Sequence, residues 1–354
     1  MNSKERVLCA ANHRTGDKTP VTFDAQKEVY DILYKYFKTD KKEDLFDRLK
    51  VDTWLVGPRA VSSPVPAGGK KESVDIWGCK SRVAYYSGGT YDELCYSPLA
   101  GKDEISDIKD HNWPKNNSLD FSEISVQAKA QADRAVIGHF TWGAYFIATK
   151  VRGMEDIMID MAIRKAYAHE LINTIAERSE YFLTKMLVEN GEGLDIIYMA
   201  DDTCSQTAPL FSPETFKEFV APYLKRFTAL AHKHNKKFLL HTCGSVRPFL
   251  PQIIECGVDI LEPLQVRAAG MEPAGLKRDF GKDICFYGGV DLQRVLSTYT
   301  SQKVGEEVKR LIDILGKDGG YILGPGHTYI QVDAPLENIL AMYNTAEEYR
   351  PYRS

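Results

Sequence analysis

Lys237–Gly244 reads KFLLHTCG, an apolar run of the kind that fills a buried strand, ending in His241 and Cys243 just before a glycine. Similar short runs recur: RAVIGHF at 134–140, LDIIYMADD at 194–202, VDILEPLQ at 258–265, ICFYGGVD at 284–291 and GYILGPGH at 320–327. Each closes on Gly, Pro, Asp or His, and longer stretches of helical period lie between them, which is the punctuation of alternating strands and helices. SPETFKEFVAPYLKRFTALAHKHN opens on a Ser-Pro-Glu helix start, and SQKVGEEVKRLIDILGKDG closes on a helix-ending glycine. Upstream, TPVTFDA and VDTWLVGP flank the helical QKEVYDILYKYF. Eight runs is the number of a closed (β/α)8 barrel of the TIM type. Between residues 62 and 132 the alternation breaks. SVDIWGCKSRVAYYSGGTYDELCYSPLA reads as a β-hairpin and HNWPKNNS as a loop, so an insertion after the second strand, lying over the barrel mouth, is expected within one domain spanning 1–354.

The 354 residues are 44% hydrophobic and 11% aromatic, enough for a large core. With 45 basic and 49 acidic residues there is no basic field for nucleic acid. The N-terminus carries charges where a signal peptide needs an apolar core, and no stretch approaches the roughly 20 apolar residues of a membrane span. A cytoplasmic protein without a membrane partner is expected. Seven scattered cysteines do not form the framework of a small secreted domain, so free thiols are expected. There is no dinucleotide fingerprint, P-loop or Gly-x-Ser-x-Gly elbow.

In a parallel barrel the loops that follow the strands all open on one face, so strand ends map the active site. They place Asp24, Arg59, His139, Asp201, Asp202, His241, Cys243, Glu262, Gln265, Asp291 and His327 at one mouth. His241 and Cys243 stand two apart, so their side chains leave the same face of the strand. A hydrogen-bonded core histidine beside a small buried thiol has the same spacing. His327, at the end of the eighth strand, tips the balance, because two imidazoles and a thiolate with an open position make a catalytic zinc set. Asp201 and Asp202 point to opposite sides of their strand end. One is expected to cap a turn, and the other to face the cavity with Gln206 nearby. Glu262 is read either as a cavity carboxylate or as half of a salt bridge in the barrel wall. Tyr198, Trp142, Tyr145 and Tyr287 are read as aromatics of which some line an apolar pocket.

The segments DDTCSQTAPLFSPETFKEFVAPYLKRF, HTCGSVRPFLPQIIECGVDILEPLQV, FYGGVD and GGYILGPGH resemble the uroporphyrinogen decarboxylase superfamily. The resemblance implies a (β/α)8 barrel, in agreement with the strand count. True uroporphyrinogen decarboxylases carry an arginine-rich RQAGRY-type segment after the first strand, where this chain has FDAQKEVYDIL. Asp52 matches their aspartate near the second strand. The other branch comprises zinc-dependent methyltransferases that exchange methyl groups with corrinoid proteins, and its metal motif is His-x-Cys followed by a later cysteine. His241 and Cys243 match; His327 stands where that branch has the cysteine.

The resemblance implies a zinc-dependent methyltransferase with one zinc per chain on His241, Cys243 and His327. Asp202, Gln206 and Glu262 are the expected catalytic residues, and Asp24, Asp52, Arg59, Tyr198, Gln265 and Tyr287 the expected substrate-binding ones. The partners it implies are a separate corrinoid protein and a small-molecule methyl donor or acceptor, with a homodimer left open. The alternatives are a metal-free decarboxylase of a porphyrinogen-like or smaller acid, and a non-catalytic barrel.

Overall fold

The structure is a computed structural model and describes residues 1–61, 72–86 and 89–351. The first barrel strand of regular pairing is β1, Thr53–Val56. Short β2, Arg59–Ala60, leads into the inserted segment, which contributes β3, Glu72–Val74, β4, Lys80–Tyr86, β5, Gly89–Tyr96, and β6, Leu119–Asp120. The barrel resumes with β7, Ala135–Trp142, β8, Ile196–Ala200, and β9, Lys237–His241, and continues through β10, Ile260–Leu264, β11, Cys285–Val290, and β12, Tyr321–Pro325. Seven strands form one parallel sheet in the order β1-β7-β8-β9-β10-β11-β12.

The eighth run, TPVTFDA, closes the ring without forming a ladder. Val21 bridges Leu323 in parallel, Thr22 N–H donates to Leu323 O at 2.9 Å, and Leu323 N–H donates to Pro20 O at 2.9 Å. On its other edge Asp52 N–H donates to Val21 O at 2.8 Å. Pro20 has no N–H to give, which limits the pairing. The Asp52 carboxylate supplements it, with Oδ2 accepting from Val21 N–H at 2.8 Å and Oδ1 from Arg6 Nη1 at 2.5 Å.

Alternation along each strand sorts the side chains. Ala135, Ile137, Ile196, Leu239, Ile260, Cys285 and Ile322 point into the barrel, where they meet Val7, Ala10 and Ala11 of α1, Ser3–Ala11. This helix plugs the end of the barrel opposite the loops that follow the strands. The outward positions, Val136, Ile197, Phe238, Leu240, Leu261, Phe286 and Leu323, join the second cluster with the surrounding helices. Two residues further along the inward rows the chemistry changes: Ile137 leads to His139, Ile196 to Tyr198, Leu239 to His241 and Ile260 to Glu262. An apolar plug therefore underlies a polar mouth.

One expectation needs correction here. Asp52 lies at the start of β1, fully buried, with its carboxylate divided between Arg6 and the Val21 N–H; it holds the barrel closed and does not line the mouth. The insertion contains the expected antiparallel strands, as a β3-β4-β5 sheet, and its base docks on the barrel flank. Leu99 N–H donates to Val151 O, and buried Arg152 donates to the carbonyls of Leu99 and Lys102 at 2.7 Å each. Val151 and Arg152 end α6, Ala144–Arg152, whose nine residues carry the chain about 12 Å away from the mouth at which it starts. Residues 62–71 and 87–88 of the expected insertion lie outside the described residues. All seven cysteines are free, as expected.

Removing the Asp52 carboxylate leaves a buried N–H without an acceptor and halves the pairing of Arg6. Asp52→Ala should lower the unfolding free energy by roughly 2 kcal/mol or more, measured by urea titration. An unchanged midpoint would mean that the clasp contributes nothing to closure.

Candidate active site

The register between β9 and β10 sets His241 directly beside Glu262. Both are buried, and His241 Nδ1 lies 2.5 Å from Glu262 Oε2. A carboxylate accepts only, so Nδ1 carries the proton shared with Glu262, and Nε2 is the ring nitrogen that faces away from it. On that side lie Cys243 Sγ, 3.4 Å from Nε2, and Asp202 Oδ1, 3.7 Å from it. Asp202 Oδ1 also accepts the backbone N–H of Cys243 at 2.8 Å, which ties the end of β8 to the turn after β9. Burial opposes charging of His241, but Glu262 and Cys243 outweigh it and hold the imidazole well above its ordinary value. Burial pushes the Cys243 thiol up, and His241 pulls against it.

Ligand atoms of Asp202, His241 and Cys243 all lie within 4.8 Å of one another, the only such group of three His, Cys, Asp or Glu among the described residues. A tetrahedral zinc with bonds of about 2.0–2.3 Å holds its donors roughly 3.3–3.8 Å apart. The two separations from Nε2 fall in that range, so the residues fit such an ion. His327 is outside this group. Its ring stands perpendicular to that of His241 with centroids 6.2 Å apart, and Asp202 takes the third place that the sequence reading gave to it. Burial, then the neighbouring His241, lower the pKa of His327, and its Nδ1 has no protein partner.

The cluster opens into a cavity of about 280 Å³. Asp24, Tyr198, Glu262, Tyr287 and His327 line it, as the strand-end map anticipated. Tyr198 sits edge-on to both His139 and His241, and the Tyr287 hydroxyl pairs with Thr22. Burial raises the Asp24 carboxyl, opposed by the Ala25 N–H and by Lys42.

Gln206 and Gln265 are not in this cavity. They hydrogen-bond each other at 2.5 Å beside a smaller annex of about 120 Å³ that reaches His327, and Gln265 Oε1 also accepts Gly244 N–H. Arg59 does not reach the cavity either. It is exposed and paired with Glu123 at 3.0 Å and Asp120 at 3.5 Å, because β2 carries it off into the ribbon with β6.

Several cavity residues escaped the reading of the sequence, Phe146, Thr328 and Lys42 among them. Phe146 lies one turn into a helix, Thr328 lies beyond the eighth strand, and Lys42 stands in the lysine-rich KTDKKED stretch, which looks like a solvated face. His139, marked only as a strand end, also lines the wall; burial, then His241, depress its pKa to about 4, so it is neutral.

The profile for uroporphyrinogen decarboxylase (URO-D) matches residues 101–349, well over half of the chain. The chain belongs to the uroporphyrinogen decarboxylase family. Two similar proteins from Methanosarcina barkeri are each named methylcobamide:CoM methyltransferase MtaA. They are 26% and 28% identical over 355 aligned positions, covering 98% of this chain and 98% of each relative. A solved methyltransferase structure from Methanosarcina mazei superposes with a TM-score of 0.69 at 20% identity, over 98% of this chain and 99% of that one. At that identity the structural likeness bears on the fold, which is that of the barrel described above.

Asp201, next to the cluster, points the other way. Its Oδ1 accepts Phe146 N–H at 2.7 Å, capping the start of α6 from the neighbouring strand, so it is the structural member of the pair. Burial pushes Asp201 up to about 7, the Phe146 N–H opposing and the Asp202 charge adding. The folded chain then holds a proton that the unfolded chain loses near an ordinary aspartate pKa of about 3.9. The resulting stability is present in acid and is lost as pH rises through about 7. Asp201→Asn should therefore gain melting temperature relative to wild type between about pH 5 and about pH 8. A difference that stays flat across that range would show that Asp201 is ionised throughout.

Proposed function

We propose that this chain is a methyltransferase that moves a methyl group between a small molecule and a corrinoid carried by a separate protein, with one zinc held by Asp202, His241 and Cys243. The observation that carries the proposal is the donor group itself, an imidazole fixed by a buried carboxylate and aimed at a thiol and a second carboxylate, at the floor of a small cavity. The names and full-length coverage of the Methanosarcina relatives support it. A thiolate–imidazole–carboxylate set favours zinc over magnesium or calcium.

When bound, zinc acts as a Lewis acid at the heteroatom that carries or receives the methyl group, or lowers the pKa of a coordinated thiol. The chain's residues do the rest. Glu262 fixes the tautomer of His241 and holds its ring, the outer-sphere role that sets ligand basicity. The backbone N–H of Cys243 holds the Asp202 carboxylate beside the turn that carries the thiol. Trp142, Phe146, Tyr198 and neutral His139 wall the small molecule and exclude water. His327 faces the cluster from the opposite wall and presents an imidazole to whatever enters between cavity and annex.

A cavity of about 280 Å³ lies below the 300–1,000 Å³ usual for drug-sized ligands, so it takes a small molecule. Of the residues that line it, Lys42 is the only lysine or arginine. A porphyrinogen, a macrocycle bearing many carboxylates, would meet neither the room nor the cations it needs. A corrinoid, also a large macrocycle, would likewise be too large for the cavity and would act from its mouth while held by its own protein.

The purified chain should hold about one zinc, retained on dialysis. Cys243→Ser and Asp202→Ala should each lose most of it, and Glu262→Gln should weaken affinity by roughly 10–100-fold, while His327→Ala keeps the metal. Elemental analysis reads all four. Loss of methyl from free methylcobalamin to a thiol, followed by its visible spectrum, tests the reaction. Turnover by a metal-free preparation would end this reading.

A further inference from the structure

The cavity wall away from the metal cluster contains a cation held in an unusual way. Lys42 begins α3, Lys42–Leu49, which follows α2, Lys27–Phe37, in the segment between the first two barrel strands. Its Nζ lies 4.9 Å from the ring centroid of Trp54, 5.0 Å from Phe46 and 5.9 Å from Tyr30. Among the described residues it makes no ion pair or hydrogen bond. Burial lowers its pKa, while Asp24 acts against this from a distance. Asp24 makes no ion pair with it and has Oδ1 engaged elsewhere, accepting both Ala25 N–H and the Tyr30 hydroxyl.

An ammonium held by ring faces is attracted by their quadrupoles but keeps its three N–H donors, which rings satisfy poorly. Such a group is costly to bury unless something in the site accepts from it. Here the remaining direction is the cavity, which Lys42, Phe46 and Asp24 line together. Phe46 and Trp54 are nearly fully buried, and Phe46 packs edge-on against Trp54 at 5.2 Å, so the rings hold the ammonium in place instead of letting it swing to solvent.

Resting on the methyltransferase reading above, we infer that Lys42 is a specificity-determining residue that binds an anionic end group of the small molecule, a carboxylate or sulfonate, whose other end reaches the metal cluster. The small molecule is then an acid with its methyl-carrying or methyl-accepting heteroatom at the far end. No bond is made or broken at Lys42; it positions.

The test uses the zinc-loaded full chain and a series of ω-mercaptoalkanoates of two to five carbons, each beside its neutral amide, with binding measured by calorimetry. Wild type should bind the acid of the best-fitting length at least about tenfold more tightly than its amide, as a charge-assisted contact in a partly buried site allows. In Lys42→Met that ratio should fall toward one, and Lys42→Arg should keep most of it; melting temperatures establish that each variant is folded. A ratio near one in wild type, or an undiminished ratio in Lys42→Met, overturns the inference. Methyl transfer from methylcobalamin to the same thiols is assayed in parallel. Charge discrimination without transfer would retire the methyltransferase reading and leave the Lys42 assignment standing, and transfer without discrimination would do the reverse.

Discussion

The parallel register that sets His241 beside Glu262 is the constraint on which the site depends. Neighbouring strands in a parallel sheet hold equivalent residues a fixed distance apart, so one pairing decides where both side chains go. A slip of one residue would turn Glu262 outward among the helices and leave the imidazole without an acceptor at Nδ1. The register is enforced from below. Leu239 and Ile260 pack inward against α1, while Leu240 and Leu261 pack outward, so no shifted pairing satisfies both clusters. The apolar plug at the closed end thereby aims a nitrogen at the open end.

Much of this was legible in the residues because two periods were at work. Strand alternation put His241 and Cys243 on one face and separated Asp201 from Asp202, and the structure gives those two aspartates the two roles expected for the pair. The eight apolar runs announced the barrel, and Tyr198, Tyr287 and Asp24 came to its cavity as strand-end residues. What failed did so for reasons that periodicity does not contain. Asp52 sits at the beginning of a strand, where the same alternation delivers a side chain to the closed end. Arg59 lies past β1, and its direction is set by the pairing of β2 with β6. His327 follows Gly326 after β12, so its distance from His241 is decided by a loop path. Lys42 was hidden because a lysine among lysines looks solvated, and only the rings of Phe46 and Trp54 distinguish it.

The family name and the cavity differ, and the difference is physical. One barrel serves unrelated chemistries because its loops and strand-end residues can change without disturbing the packed layers beneath. In this chain the segment after the first strand carries no arginine cluster, and the wall offers a single lysine. What the cavity can admit follows from what lines it, whatever the ancestry of the fold.

Two imidazole nitrogens, Nε2 of His139 and Nδ1 of His327, are buried in the cavity wall without a protein partner. Each such group costs about 1–3 kcal/mol when left unmatched. The core beneath carries no comparable burden, since its inward positions are apolar. Both rings are held away from the charged form, by burial first and by His241 second, so each offers a neutral nitrogen that can donate or accept. A neutral imidazole can donate a hydrogen bond from one nitrogen and accept one at the other, which suits an uncharged polar group. The same two rings would be poor partners for several carboxylates, which need cations. An unmatched nitrogen at each of His139 and His327 is thus left open to an uncharged polar group in the cavity, whereas a carboxylate there would find a lysine or arginine only at Lys42.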